Sequence, residues 1–166
     1  MANKIKKIGK LTAVSIILTI LFIPCPGFAA IAVDGPALSV ESVSTSAGGS
    51  IVVSVTSDSA KVFNAAQFTL KFDGDLLTVS SVSAGSADRT WALVNNPKNP
   101  GKLIVAMFNA SGVTPGVSGH NSQLAVIKFA VNSHPKSSVK NTKLTLSNVI
   151  FDAITVTKLK EGTFSL

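Results

Sequence analysis

An all-β sandwich is the fold class this sequence predicts, on three observations. Apolar and polar side chains alternate with period two in its most regular stretch, helical periodicity is absent after residue 30, and turn-forming clusters recur between short β-branched runs. The alternation is clearest where Ala66, Phe68, Leu70 and Phe72 interleave with Gln67, Thr69 and Lys71. That pattern belongs to a strand with one face buried and one face wet. Asp73-Gly74-Asp75 then supplies turn chemistry, since Gly tolerates positive φ and Asp bonds nearby backbone amides. A further strand follows at once through Leu77, Val79 and Val82.

In chain order, strands are expected at Leu38–Val43, Ile51–Thr56, Ala65–Phe72, Leu76–Ala84, Thr90–Val94, Lys102–Phe108, Gln123–Val131, Lys143–Val149 and Thr163–Leu166. Ala47-Gly48-Gly49, Asp73-Gly74-Asp75, Asn95-Asn96-Pro97, Asn99-Pro100-Gly101 and His134-Pro135 separate them. About nine short strands at this spacing indicate an all-β sandwich. Spacing alone also admits a closed barrel, but two-sheet packing suits a chain of this size better. Val53, Val55, Phe68, Leu70 and Phe72 are expected in the core. In the sixth strand Ile104, Ala106 and Phe108 share one parity and Leu103, Val105 and Met107 the other, so both faces are apolar. Such a strand is either covered on both sides or presents an apolar surface to a protein partner.

The first 29 residues are expected to be a secretory signal peptide. Lys4, Lys6, Lys7 and Lys10 precede an apolar run from Leu11 to Ile23, and Pro24, Pro26 and Gly27 end it. Small residues at 27 and 29, and again at 30 and 32, suit cleavage after Ala29 or as late as Ala32. The run is too short for a membrane span, which needs about 20 apolar residues, so no stable anchor is expected after cleavage. Residues 30–36 form a short leader and 37–166 the sandwich domain. Cys25, the one cysteine, lies beside the cleavage region, and Pro24 before it disfavours lipidation. The mature domain would have no disulfide, thiol nucleophile or thiolate metal site.

Cleavage also removes four lysines and no acid, leaving 11 basic and 8 acidic residues, a net charge of +3. Without a basic run interleaved with aromatics, nucleic acid is not an expected partner. The expected location is secreted or extracellular, with the cell surface included.

The order of three early blocks resembles the cohesin domain: Gly49-Ser50-Ile51-Val52-Val53-Ser54-Val55, then Ala66 to Asp73, then Leu76 with Ser81-Val82. Gly101 to Phe108, Leu124 to Val131, Leu144-Thr145-Leu146 and Phe151-Asp152 continue the resemblance, which covers roughly Ala37 to Leu166. It implies a nine-stranded jelly-roll sandwich related to scaffoldin carbohydrate-binding modules. It also implies a non-catalytic receptor for dockerin modules of secreted enzymes, often in polysaccharide degradation, with calcium mainly on the dockerin side. The dockerin would dock on the face that includes the third, fifth, sixth and eighth strands. The better-known cohesin class has an Asn and an Asp on the third strand and an acid after the sixth. Ala65, Gln67 and Ala110 stand at the matching positions, so a standard partner of that class is not expected. Partner contacts are expected instead from Gln67, Thr69, Lys71, Asn109 and the apolar side chains around Met107.

Two other functional classes fit the same architecture. A carbohydrate-binding module would rest on Trp91, the single tryptophan in a chain without tyrosine, as a stacking platform; core burial is the competing reading of that residue. A self-assembling surface subunit would use copies of itself as partners. Enzymatic activity has no motif behind it. Asp73 and Asp75 read as turn formers, because a calcium loop needs six to eight oxygens and a glycosidase needs two carboxylates about 5 to 9.5 Å apart. His120 and His134 read as solvated loop residues with no neighbouring acid. No metal or cofactor is expected.

Overall fold

The computed structural model describes residues 37–166, apart from 88, 111–115, 137, 139 and 153. The expected signal segment and leader, with Cys25, lie outside the described residues. Twelve strands form: β1 (Ala37–Val40), β2 (Val43–Ser44), β3 (Ser50–Phe63), β4 (Ala65–Lys71), β5 (Leu77–Ala84), β6 (Ala92–Asn96), β7 (Lys102–Phe108), β8 (Val117–Val131), β9 (Asn141–Phe151), β10 (Ile154–Thr155), β11 (Lys158–Lys160) and β12 (Gly162–Ser165). One sheet has the order β11-β1-β3-β8-β5; the other runs β2-β12-β9-β4-β7-β6, with β10 hairpinned onto β9. All pairings are antiparallel except β1 with β11 and β2 with β12. The fold is thus an all-β sandwich of two sheets, without helices among the described residues.

Each of the nine expected strands has a counterpart, and β10 and β11 are short additions. The first expected strand is split, with β1 in one sheet and β2 in the other. β3 and β8 run further than alternation suggests, because their ladder continues through bulges at Val55/Thr56, Ser57/Ser59 and Ser59/Phe63. His120 therefore lies in β8 rather than in a loop. Gly119 and Asn121 beside it, with φ of 103° and 52°, are turn formers used as irregularities inside the strand.

The core is the slab between the sheets. Val53 and Val55 from β3, Phe68 and Leu70 from β4, Ile127 and Phe129 from β8 and Phe164 from β12 are all fully buried. Phe72 packs at its margin, edge-on to Phe129 with ring centroids 5.0 Å apart. Each fully buried side chain of this kind contributes about 1.5–3 kcal/mol relative to exposure.

The Asp73-Gly74-Asp75 segment carries the chain from β4 in one sheet to β5 in the other, and its bonds confirm a turn. The Asp75 amide donates to Asp73 Oδ1 at 2.8 Å, and the amides of Leu76 and Leu77 donate to the Asp73 carbonyl at 3.2 and 3.0 Å. Gly74 is required by close approach, since a Cβ there would stand 2.7 Å from the Gly101 nitrogen.

Candidate partner-binding face

The expected third, fifth, sixth and eighth strands are β4, β6, β7 and β9, and they are neighbours in the order β9-β4-β7-β6. Their inward residues fill the core, so their outward residues form one continuous face. The registers arrange that face in rows across the strands. Ala92, Phe108 and Ala65 form the first row, and Val94, Ala106, Gln67 and Ile150 the second. Asn96, Ile104, Thr69 and Ser147 form the third, and Lys102, Lys71 and Thr145 the fourth. Chemistry therefore changes along the strand direction, from apolar through mixed to cationic.

The apolar end is open. Val94 is 62% exposed, Phe108 45% and Ile150 37%. Around Gln67 lies a shallow depression of about 250 Å³ whose lining includes Ala65, Ala106, Phe108, Ile150 and Asp152. The sixth expected strand thus resolves into a buried parity, Leu103, Val105 and Met107, and an outward parity left exposed by the described residues at Phe108.

Ile150 reaches this face through a bulge. Opposite Gln67 to Thr69, β9 spends one extra residue, with Asn148 at a φ of 50°. Asn tolerates this left-handed backbone better than most residues. The bulge switches parity, so Leu144, Leu146, Val149 and Phe151 all point inward while Ile150 points out.

At the corner beside the depression, Asp152 fixes the start of β4. Its Oδ1 accepts from the amides of Asn64 at 3.0 Å and Ala65 at 2.8 Å, and its Oδ2 lies 3.0 Å from the Asn64 amide. The Asn109 amide donates to the Asn64 carbonyl at 2.9 Å, which ties the end of β7 to the same corner.

Gln67 and Lys71 are exposed on this face, and Asn109 is half-buried at its edge. Two other expected contact residues require correction. Met107 points into the core and is 3% exposed, because odd positions of β7 face inward. Thr69 has outward parity but is 2% exposed, set between Ile104 and Ser147 on the flanking strands. Trp91 is also corrected as a sugar platform. It is 4% exposed and packs edge-on to Phe63, centroids 5.9 Å apart, while Phe63 stacks on Phe151 at 4.2 Å. What sequence reasoning missed is Val94, Ile150 and Lys102, which only register and the bulge bring to the face.

Chemistry elsewhere is sparse. His120 does have an acidic neighbour, contrary to expectation: its Nδ1 lies 2.6 Å from Asp58 Oδ1, both side chains being well exposed. His134 Nδ1 meets the Ser133 hydroxyl at 2.9 Å. On the other sheet's outer face a polar groove holds Ser39, Ser54, Thr56 and Gln123. Its side chains largely satisfy one another: Ser39 and Thr56 hydroxyls at 2.7 Å, and Gln123 Nε2 donating to Ser54 Oγ at 3.0 Å. Among the described residues no group of three or more His, Cys, Asp or Glu could hold a metal ion, and no helix is long and apolar enough to cross a membrane.

The cohesin-domain family model matches residues 36–165. The chain belongs to the cohesin family. No curated protein matches it. Solved structures do, and the sixth cohesin of scaffoldin B from Acetivibrio cellulolyticus, in complex with a mutant Cel5 dockerin, is 25% identical. That match has a TM-score of 0.65 and covers 80% of this chain and 99% of the other. The cohesin CaCohA2 of Clostridium acetobutylicum, in complex with a CaDoc0917 variant, gives a TM-score of 0.68 at 20% identity over 79% and 99% of the two chains. A non-cellulosomal cohesin from the archaeon Archaeoglobus fulgidus gives 0.65 at 20% identity over 79% and 90%. Cohesin domains are binding modules without catalytic activity, and so is this one. In this cohesin Ala65 and Gln67 lie on the outward face of β4, and Ala110 is exposed just past β7.

Proposed function

We propose that this cohesin is exported and docks a dockerin-bearing secreted protein on the outward face of β9-β4-β7-β6. The observation that carries the reading is the uncovered apolar depression around Gln67, bordered by Phe108 and Ile150 on the strands that the family resemblance assigns to partner recognition. Exposed apolar clusters rimmed by polar residues mark protein interfaces, and truncating a central anchor costs binding far more than truncating the rim. The solved cohesin–dockerin complexes among its structural relatives support the same partner class. Export is supported by the lysines before Leu11, the short apolar run and the small residues around Ala29.

The test is capture of dockerin-bearing proteins, identified by mass spectrometry, from culture supernatant in the presence of calcium. Phe108→Ser is expected to weaken capture at least about tenfold, the equivalent of 1.4 kcal/mol, without altering the fold. Val52→Ser, at a 53% exposed valine on the other sheet, should leave capture unchanged. Equal loss from both substitutions, or none from Phe108→Ser, sinks the placement of the site.

A further inference from the structure

The strands that build this face contain three lysines and no carboxylate: β4, β6, β7 and β9 hold Lys71, Lys102 and Lys143. Lys143 is offset by Glu161 at 3.4 Å. Lys71 and Lys102 are different. They are Cα partners in the β4–β7 ladder, both exposed and on the outward parity, so two like charges stand directly opposite each other. Such a pair destabilises a sheet. The nearest acid in sequence, Asp73, sits beyond the strand end, with Oδ1 engaged by the Asp75 amide.

We infer that the partner of this cohesin carries an apolar anchor and a separate acidic group on one helix face, the apolar side chain seated beside Gln67 and the carboxylate between Lys71 and Lys102. The inference rests on the dockerin reading and specifies the chemistry of its partner. Along β4 the two sub-sites are four residues apart, about 14 Å at the rise of a strand. A helix lying along the strands rises 1.5 Å per residue, so positions seven or eight apart span about 11–12 Å on one face. The lysine stems cover the remainder. A carboxylate placed there is charge-assisted by two ammonium groups and relieves their mutual repulsion. At the apolar end Ala65, Gln67 and Ala110 are uncharged and the Asp152 carboxylate is engaged by the Asn64 and Ala65 amides, so the lysine pair also discriminates against a cationic partner.

The experiment is selection of a displayed dockerin library, randomised on its exposed helix positions, against the protein and against its Lys71→Glu/Lys102→Glu variant. Clones selected on the parent are expected to carry Asp or Glu seven or eight positions from an apolar residue, and clones selected on the variant to carry Lys or Arg there. A parent-selected clone should bind the variant about tenfold or more weakly. Its affinity for the parent should fall between about 0.1 and about 1 M salt, as the Debye length shrinks from about 10 to about 3 Å. Lys71→Gln/Lys102→Gln, which removes both charges without adding new ones, should give an intermediate loss, and cooperative unfolding with midpoints no lower than the parent's confirms that both variants fold. Clones that bind parent and variant equally overturn the charge assignment while leaving the dockerin reading intact. A library that yields no binder to either selection target overturns both.

Discussion

Asp152 shows how one side chain can set up a surface it barely belongs to. It has a φ of 45° and sends its carboxylate to two amides 87 and 88 residues earlier in the chain, at the start of β4. Hydrogen bonds to an ionised acceptor contribute more than neutral ones, about 1.5–3 kcal/mol before allowance for exposure. Asp152→Ala is therefore expected to lower stability by about 1–3 kcal/mol. Asp152→Asn should lose roughly half as much, since the amide keeps one acceptor oxygen and tolerates the left-handed backbone. Urea unfolding of the three proteins decides this: equal losses from Ala and Asn would mean that a neutral acceptor oxygen contributes nothing here, and no loss from Asn would mean that the charge contributes nothing. Neighbouring residues on β7 make a second contrast. Met107→Ala empties buried volume and should cost about 2–5 kcal/mol, whereas Phe108→Ser removes an exposed ring and should cost under about 1 kcal/mol. A stability loss from Phe108→Ser as large as that from Met107→Ala would show that the outward face of β7 is not open.

β9 is where the limits of sequence reading are plainest. In β4, Phe68 and Leu70 alternate strictly with Gln67, Thr69 and Lys71, so period two located the strand, its buried parity and its family likeness without help. In β9 the inward residues are Leu144, Leu146, Val149 and Phe151, a series with one skipped step that no simple alternation describes. The skip is the bulge at Asn148, visible in the sequence only as an Asn inside an apolar run, and it is what delivers Ile150 to the outward face of β9-β4-β7-β6. Register was equally invisible. Lys71 and Lys102 are 31 positions apart in sequence and only the ladder makes them opposite. Met107 failed as a surface residue because its parity on β7 faces inward, and Trp91 took the buried one of its two readings. The bulge gives its own prediction. A β-branched residue at a φ of 50° carries the left-handed penalty of about 1–2 kcal/mol, so Asn148→Val should destabilise by that amount, while Asn148→Gly should stay within about 0.5 kcal/mol of the parent. If Asn148→Val has no effect on the unfolding midpoint, β9 does not need this backbone conformation.

At the scale of the whole molecule, the question is what holds two sheets together without staples. One cysteine in 166 residues excludes an intrachain disulfide, and the described residues offer no metal cluster. What remains is the apolar slab, and about 130 residues is enough chain to bury roughly two-thirds of its unfolded surface. The slab is closed by distant partners: β1 pairs with β11 and with β3, and β12 bridges β2 and β9. Such non-local pairing predicts slow, cooperative folding in the millisecond-to-second range. It also predicts that stability and partner binding respond differently to the same reagent. Reductant and calcium chelator should leave the unfolding midpoint of the isolated protein unchanged, because neither removes anything the slab depends on. The chelator should nevertheless abolish capture of a dockerin, because the family resemblance implies calcium mainly on the dockerin side. Thermal unfolding with and without each reagent, run beside the capture assay, separates the two effects. A midpoint that drops on chelation would place a cation in the sandwich itself, and capture that survives chelation would point to a partner of another kind.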